Sequence, residues 1–354
     1  MPLLKTRGAP RTILPIQYLR GIAALMVVWF HAVGQVPGMD TFFASRFGGS
    51  GIDLFFVISG FIMTVTTQSA PVTATEFMRR RIVRVVPLYW LLTLAMVALW
   101  WCVPALFKTL LVTPLTLAQS LLFIPHFSHS FPQNAWPLLV PGWTLNYEMF
   151  FYLVFALSLL VSTRWRFPML ALTLGGLVAA GYALGPFENA VLRTYTNSIL
   201  LEFMAGALLG LWWGRPHSEP PVIVSTLAVA SGFAFMLLRN SPPFDHFNQM
   251  LGAVLVVFGA LNAAYAHWDS RVLRGLGDSS YSLYLTHIFT LGAFRSLWTR
   301  VVPETTNILL ASLYMLMALA ASAAVGYLAF KWLETPMLQT LNRKTKKAPK
   351  FQPT

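Results

Sequence analysis

Cysteine and charge are both scarce in this chain, and each scarcity excludes a class of protein. The 354 residues include one cysteine, Cys102, so neither an internal disulfide nor a thiolate metal cluster can form. Charged residues make up only 10% of the chain, against about 25% in a typical soluble domain, whereas 56% of the residues are hydrophobic. The composition therefore excludes an ordinary soluble protein and indicates an integral membrane protein with many spans.

Apolar runs of about 20 residues recur along the chain without the alternation of a β-strand, which predicts membrane helices. Eleven segments can be distinguished, at 15–36, 51–69, 85–107, 110–125, 143–163, 168–185, 194–213, 221–238, 247–267, 279–299 and 306–333. The fourth is short and is bracketed by Pro114 and Pro125. Because proline removes a backbone donor, we expect a broken or re-entrant segment there.

The distribution of lysine and arginine predicts how many segments cross the membrane. If ten cross and the N-terminus is cytoplasmic, 17 basic residues fall in cytoplasmic loops and 5 in outer loops. We therefore predict an all-α bundle of about ten transmembrane helices plus one short re-entrant or broken segment, with both termini cytoplasmic. Residues 1–342 would be embedded in the membrane, and 343–354 would form a basic, disordered cytoplasmic tail. The net charge of +13 is attributed to these loops and to anionic membrane lipids rather than to nucleic acid.

Ionisable residues inside apolar segments are candidates for function, because charge is rare at membrane depth. Arg20 and His31 lie 11 residues apart in the first segment, which is about 16 Å of helix rise. Arginine keeps its charge and suits an anion, whereas histidine exchanges a proton near neutral pH. Counted from the segment ends, His31, Glu148 and Asp53 converge on one layer, so we expect Glu148 or Asp53 to orient His31 as a general base. A polar network that only holds helices together is the alternative.

Four arginines precede the third segment and form a second candidate site. Arg81 and Arg84 share one helix face, and guanidinium groups bind phosphate, so with Arg20 they predict a site for an anionic ligand. The ordinary enrichment of basic residues at the cytoplasmic surface is the alternative explanation. No metal site is expected. Supporting roles near the site are assigned to His287, Tyr147, Ser59 and Trp143.

Together these motifs resemble the acyltransferase-3 family of multi-span membrane O-acyltransferases. The matching elements stand in family order. They are an arginine and a histidine separated by ten residues (Arg20 and His31), a glycine-rich element ending in LFFVISGF (51–61), the Arg-x-x-Arg pair (Arg81 and Arg84), WTLNYE (143–148) and YSLYLTH (281–287).

The resemblance implies a ten-span helical fold and transfer of an acyl group, usually acetyl, from cytoplasmic acyl-CoA to a carbohydrate hydroxyl across the membrane. His31 would be the catalytic residue, Glu148 an active-site residue, and the three arginines contacts of coenzyme A. Acetyl-CoA would be a co-substrate, and no tightly bound cofactor is expected. We expect a stand-alone enzyme of the bacterial inner membrane, without the appended hydrolase domain of many relatives, that modifies exopolysaccharide or lipopolysaccharide sugars.

Two other function classes remain open from the sequence. A proton-coupled transporter or flippase would use His31, Glu148 and Asp53 as a proton relay, although no inverted repeat is visible. A non-catalytic receptor or assembly subunit would not depend on His31.

Overall fold

The computed structural model describes residues 13–43, 45–107, 109–238, 247–266, 269–302 and 307–346, which form helices and their connections. The ten described helices of 14 or more residues are α1 Leu14–Val33, α2 Gly51–Ser69, α3 Ala74–Cys102, α4 Gly142–Ser158, α5 Thr163–Leu184, α6 Leu200–Trp213, α7 Val222–Leu237, α8 Phe247–Ala260, α9 Ser280–Val301 and α10 Ile308–Ala329. Shorter helical segments are Met39–Phe42, Ser45–Gly49, Pro104–Leu106, Pro114–Leu121, Ala190–Tyr195, Ala263–Ala266, Arg271–Asp278, Phe330–Glu334 and Thr335–Lys346. The predicted all-α class is confirmed.

Several of these helices are suited to a lipid environment. Five are long and apolar enough to cross a membrane: Leu14–Val33, Phe47–Ser69, Ala74–Cys102, Thr163–Leu184 and Ile308–Asn342. Large apolar side chains also face outward on α5, α7 and α10, as they would toward lipid. The chain is therefore an integral membrane protein. The number of about ten crossings stays a prediction.

Glycines bring α2 and α6 into close contact. Gly60 of α2 faces the backbone of α6, Gly206 of α6 lies against Val57, and Gly210 lies against Thr64. A side chain at Gly60 or Gly206 would collide with the backbone of the partner helix, so a residue without Cβ is required. The contacts advance in the same direction along both chains, which means that α2 and α6 run parallel.

The short helix Pro114–Leu121 has eight residues and is about 12 Å long, whereas the hydrocarbon core of a membrane is about 30 Å thick. The parallel arrangement of α2 and α6 agrees with a segment that does not cross. Three helices, α3 to α5, lie between α2 and α6 in the chain, and three crossings return the chain to the same direction. A fourth crossing by Pro114–Leu121 would have made α2 and α6 antiparallel.

At α3 and at Thr335–Lys346 the helices extend beyond the predicted segments, because hydropathy does not register polar helical turns. Helix α3 begins at Ala74, 11 residues before the predicted start at 85, so the four arginines belong to the helix. Thr73 caps it by accepting a hydrogen bond from the Glu76 backbone at 3.2 Å. At the C-terminal end of the chain, the helix Thr335–Lys346 extends four residues into the predicted disordered tail, so the prediction of disorder is wrong for residues 343–346. Residues 347–354 lie outside the described part of the chain.

Candidate active site

A cavity of about 160 Å³ opens between α1, α2, α3, α4 and α9. Its polar part is lined by Arg20, Arg81, Arg84 and Glu148, and Ser59 lines it from α2. Phenylalanine, isoleucine and methionine side chains of α2 form an apolar wall. The structure therefore brings the three predicted arginines together from two helices, with one of the predicted acids.

Aromatic rings orient two of the arginines. The guanidinium carbon of Arg81 lies 5.7 Å from the centre of the Phe77 ring and 5.8 Å from that of Tyr152. The guanidinium carbon of Arg84 lies 5.3 Å from the centre of the Tyr281 ring. Such cation–π contacts fix the plane of an arginine without using its N–H groups. The buried Nε of Arg81 has no hydrogen-bond partner within the described residues, so it remains a donor for a bound anion.

Arg20 reaches the cavity from α1 and is tied to a surface segment. Its Nη1 donates to Gln17 Oε1 at 3.2 Å, and Gln17 Nε2 donates to Asp278 Oδ1 at 2.6 Å. Asp278 ends the short helix Arg271–Asp278, which packs closely against α1 at Gly21. Hydrogen bonds through Gln17 to Asp278 therefore orient Arg20 and connect α1 to the helix Arg271–Asp278.

Glu148 balances part of this positive charge. It accepts a hydrogen bond from the Tyr152 hydroxyl one turn along α4, and it lies within electrostatic reach of all three arginines. A second carboxylate, Glu334, forms an ion pair with Arg84. The charged side chains that line the cavity are three arginines and one glutamate, so the cavity favours an anionic ligand.

The cavity continues along α9 toward its apolar part. One turn beyond Tyr281, the hydroxyl of Tyr284 hydrogen-bonds to Thr144 Oγ1 at 2.6 Å. This contact sets the start of α4 against α9. Glu148 follows Thr144 by one turn of α4. Because α4 and α9 are antiparallel, Glu148 therefore lies level with Tyr281, one turn before Tyr284 on α9, and not with His287.

His31 and His287 form a pair beyond this part of the cavity. His287 Nε2 lies 3.3 Å from His31 Nδ1, and the ring centres are 4.8 Å apart. His31 Nδ1 also lies 2.9 Å from the carbonyl oxygen of Val27, and His287 Nδ1 lies 2.6 Å from that of Tyr284. His287 is fully buried, whereas His31 is half-buried.

The carbonyl contacts assign the tautomers of both rings. A carbonyl oxygen can only accept, so Nδ1 carries the proton in each histidine. The Nδ1–H of His31 is then shared between Val27 and the lone pair on Nε2 of His287. In the neutral ring the second nitrogen has no proton, so Nε2 of His31 holds an available lone pair. His31 can therefore accept a proton at Nε2 and act as a base.

Comparison with known proteins identifies the family of this chain. The acyltransferase domain family matches residues 14–327. The chain belongs to the acyltransferase-3 family. This acyltransferase is 39% identical over 299 residues to ExoZ, an exopolysaccharide production protein of Rhizobium meliloti (strain 1021), which covers 82% of this chain and 90% of ExoZ.

Two further relatives are more distant. The peptidoglycan O-acetyltransferase OatA of Listeria monocytogenes is 26% identical over 372 residues, which is 94% of this acyltransferase and 57% of OatA. Nodulation protein 10 of Rhizobium leguminosarum bv. viciae is 25% identical over 348 residues, covering 83% of this chain and 89% of that protein. No solved structure matches the chain.

Among its described residues, the structure of this acyltransferase does not bring either expected carboxylate to His31. Within the described residues, the partners of His31 are the Val27 carbonyl and His287, and Glu148 hydrogen-bonds to Tyr152 instead. Counting residues from the membrane surface gives Glu148 the depth of His31, but the contact between Tyr284 and the start of α4 sets it level with Tyr281, about 9 Å below His287 along α9. Glu148 therefore belongs to the arginine group.

Asp53 is also not beside His31. It lies in a buried acidic pair with Glu202 of α6. The apolar stretch that contains α2 begins earlier than predicted, at Phe47, and Gly51 already lies against Ala23 of α1. Asp53 is thus about two helical turns below His31, since each turn rises about 5.4 Å.

The supporting residues divide into two groups. His287 contacts His31 and Ser59 lines the cavity, whereas Tyr147 and Trp143 pack against each other with ring centres 5.9 Å apart. Neither of these last two rings lines the cavity.

The sequence analysis missed several residues of the site. A signal was present for Tyr152, which lies four residues after Glu148 and therefore on the same helix face. The missed residues are Thr144, Tyr152, Tyr281, Tyr284 and Glu334.

Proposed function

We propose that this acyltransferase moves an acetyl group from acetyl-CoA to a hydroxyl of a carbohydrate that is exported or displayed at the cell surface. The observation that carries the proposal is the cavity itself. Three arginines converge at one end, and the histidine pair lies beyond the other end, with Arg20 and His31 on the same helix. The functions named for two relatives, exopolysaccharide production for ExoZ and peptidoglycan O-acetylation for OatA, support a sugar polymer as the acceptor.

Coenzyme A fits the two ends of this arrangement because its phosphates and its thioester lie at opposite ends of a long molecule. Arginine binds phosphate through paired N–H groups, which suits Arg20, Arg81 and Arg84. The 11 residues from Arg20 to His31 correspond to about 16 Å along α1, a distance that the pantetheine arm can cover. The thioester would then lie beside the histidine pair.

In the proposed reaction, Nε2 of His31 takes the proton of the acceptor hydroxyl. The hydroxyl oxygen bonds to the acyl carbon, the carbon–sulfur bond breaks, and the thiolate of coenzyme A takes the proton from His31. The products are an O-acetyl ester and free coenzyme A. Transfer through acetyl-His31 is the alternative route. Mass spectrometry of the peptide that contains His31, after rapid quenching with labelled acetyl-CoA, distinguishes the two.

We further propose that the arginine end faces the cytoplasm of a bacterial cell and that the acceptor reaches the histidine pair from the opposite side of the inner membrane. The distribution of 17 basic residues against 5 supports this orientation and puts both termini in the cytoplasm. Acetyl-CoA is a cytoplasmic metabolite, so the donor and the arginines would be on the same side.

The test uses purified protein and radiolabelled acetyl-CoA. We expect the wild type to bind acetyl-CoA and release coenzyme A, and His31→Ala to bind it without turnover. Arg81→Ala and Arg84→Ala should each weaken binding about tenfold, as expected for losing a charge-assisted hydrogen bond of about 1.5 kcal/mol. If the wild type does not bind acetyl-CoA, the proposed donor is wrong. Proton-coupled uptake into liposomes without coenzyme A would then establish a transporter.

A further inference from the structure

Helix α10 does not end as a regular helix. After Ala329 it widens into a π-helical turn, Phe330–Glu334, and continues as the α-helix Thr335–Lys346. A π-helical turn holds an extra residue, and such turns are rare and frequently occur at functional sites. This one lies beyond residues 14–327, the part of the chain that matches the family.

The extra residue changes which side chain faces α9. Gly326 packs against Leu283 of α9, and Ala329 is buried on the same face. Steps of three and four residues would bring Leu333 next onto this face in a regular helix. In the structure Leu333 is 38% exposed, whereas Glu334 is 1% exposed. The wide turn therefore rotates a carboxylate into the bundle in place of a leucine.

Both oxygens of this carboxylate have partners beside the cavity. Oε1 of Glu334 forms the ion pair with Arg84, and Oε2 accepts a hydrogen bond from Ser282 Oγ at 2.5 Å. Ser282 lies on α9 between the cavity residues Tyr281 and Tyr284. A buried carboxylate is stable only when it is paired and hydrogen-bonded, so these two contacts account for its position.

We propose that Glu334 is a positioning residue for the acyl donor. Its carboxylate holds the Arg84 guanidinium against the Tyr281 ring, and the N–H groups that Glu334 does not engage remain for a phosphate. Arg84 also lies within electrostatic reach of Arg20, and Glu334, together with Glu148, offsets the repulsion between these two arginines. This inference rests on the proposed binding of coenzyme A by the arginines.

Glu334→Gln tests the proposal because it keeps the size of the side chain and removes its charge. We expect the KM for acetyl-CoA to rise about tenfold while kcat changes less than about twofold, since donor binding is affected and the chemistry at His31 is not. Glu334→Asp keeps the charge and should recover part of the affinity. Because Glu334 acts through Arg84, adding Glu334→Gln to Arg84→Ala should weaken binding no further.

Glu76→Gln is the matched control. Glu76 also pairs with arginines of α3, at 2.7 Å from both Arg79 and Arg80, but it lies outside the cavity. Its loss should leave the KM for acetyl-CoA unchanged. The midpoint of thermal unfolding is measured for every variant, and Ser282→Ala, with an expected rise in KM of a few-fold, serves if Glu334→Gln does not fold.

Three results would overturn the inference. If Glu334→Gln folds and its KM for acetyl-CoA is unchanged, Glu334 has a purely structural role. If that KM falls, the Glu334 carboxylate competes with acetyl-CoA for Arg84. Failure of the wild type to bind acetyl-CoA would overturn the proposed function and this inference together. If the wild type binds normally, a negative result in the variants concerns Glu334 alone.

Discussion

The two histidines acquire different roles from their surroundings. His287 is fully buried, and its Nδ1 is occupied by the Tyr284 carbonyl, so only Nε2 is available and it faces His31. His31 is half-buried and keeps its own Nε2 for a substrate. Backbone carbonyls and a second imidazole therefore orient the proposed base, where a carboxylate was expected.

This arrangement predicts that His287 supports the rate rather than donor binding. His287→Ala should lower kcat about 10- to 100-fold, part of the roughly 10²- to 10⁴-fold that a positioned acid–base group contributes. The KM for acetyl-CoA should not change, because His287 is not among the residues that line the arginine cavity. Steady-state kinetics at varied acetyl-CoA concentration measure both quantities.

Two further variants separate this role from loss of packing. His287→Gln offers a carbonyl oxygen that can accept the Nδ1–H of His31, so it should retain more activity than His287→Ala. His217→Ala is the control, since His217 packs on Trp212 with ring centres 4.3 Å apart, away from the cavity. Wild-type kcat in folded His287→Ala would contradict the assignment.

Among the helices, the contact between α2 and α6 depends on residues without side chains. Gly206→Ala would set a Cβ against the backbone carbonyl of Val57, which neither helix can avoid without moving apart. We expect a loss of about 1–3 kcal/mol of stability, as is typical of overpacking. The loss is measured as a lower midpoint of thermal unfolding in detergent.

The same substitution elsewhere in the bundle provides the control. Gly175 lies in the middle of α5 with open space around the position of its missing Cβ. Gly175→Ala should therefore leave stability unchanged or raise it by about 0.5–1 kcal/mol, because alanine has less backbone entropy to lose. Equal destabilisation by both substitutions would show that close packing at Gly206 is not the cause.

Across the whole molecule, the directions of the helices put the two parts of the site at opposite ends of α1. Helices α1 and α9 run parallel, since Gln17 contacts Asp278 near their starts and His31 contacts His287 further along both. The arginines gather toward the start of α1 and the histidines toward its end. The proposed transfer, from a donor on one side of the membrane to an acceptor on the other, depends on this separation.

Labelling of introduced cysteines tests this topology. In a Cys102→Ala background, Ser130→Cys, between Pro114–Leu121 and α4, should react with a membrane-impermeant maleimide in intact cells. Ser218→Cys, between α6 and α7, should react only after permeabilisation. Both native serines are exposed in the structure. The reverse pattern would contradict the predicted orientation, either because Pro114–Leu121 crosses the membrane or because the N-terminus lies outside.

The sequence by itself determined the class of the protein and most of its helices. Long apolar runs and the few ionisable residues within or beside them are local properties, so the residue pattern alone singles out Arg20, His31, Arg81 and Arg84. The polar ends of α3 and Thr335–Lys346 were missed, because hydropathy follows apolar length and not helix propensity.

Only the tertiary structure decided which of these side chains meet. Glu148 joins the arginines because a contact with Tyr284 sets the depth of α4, and His287 meets His31 because α1 and α9 run parallel in register. Glu334 reaches Arg84 through one extra residue in a helical turn, which regular periodicity would have excluded. Depth, register and local helix geometry result from packing between helices, and no short stretch of sequence encodes them.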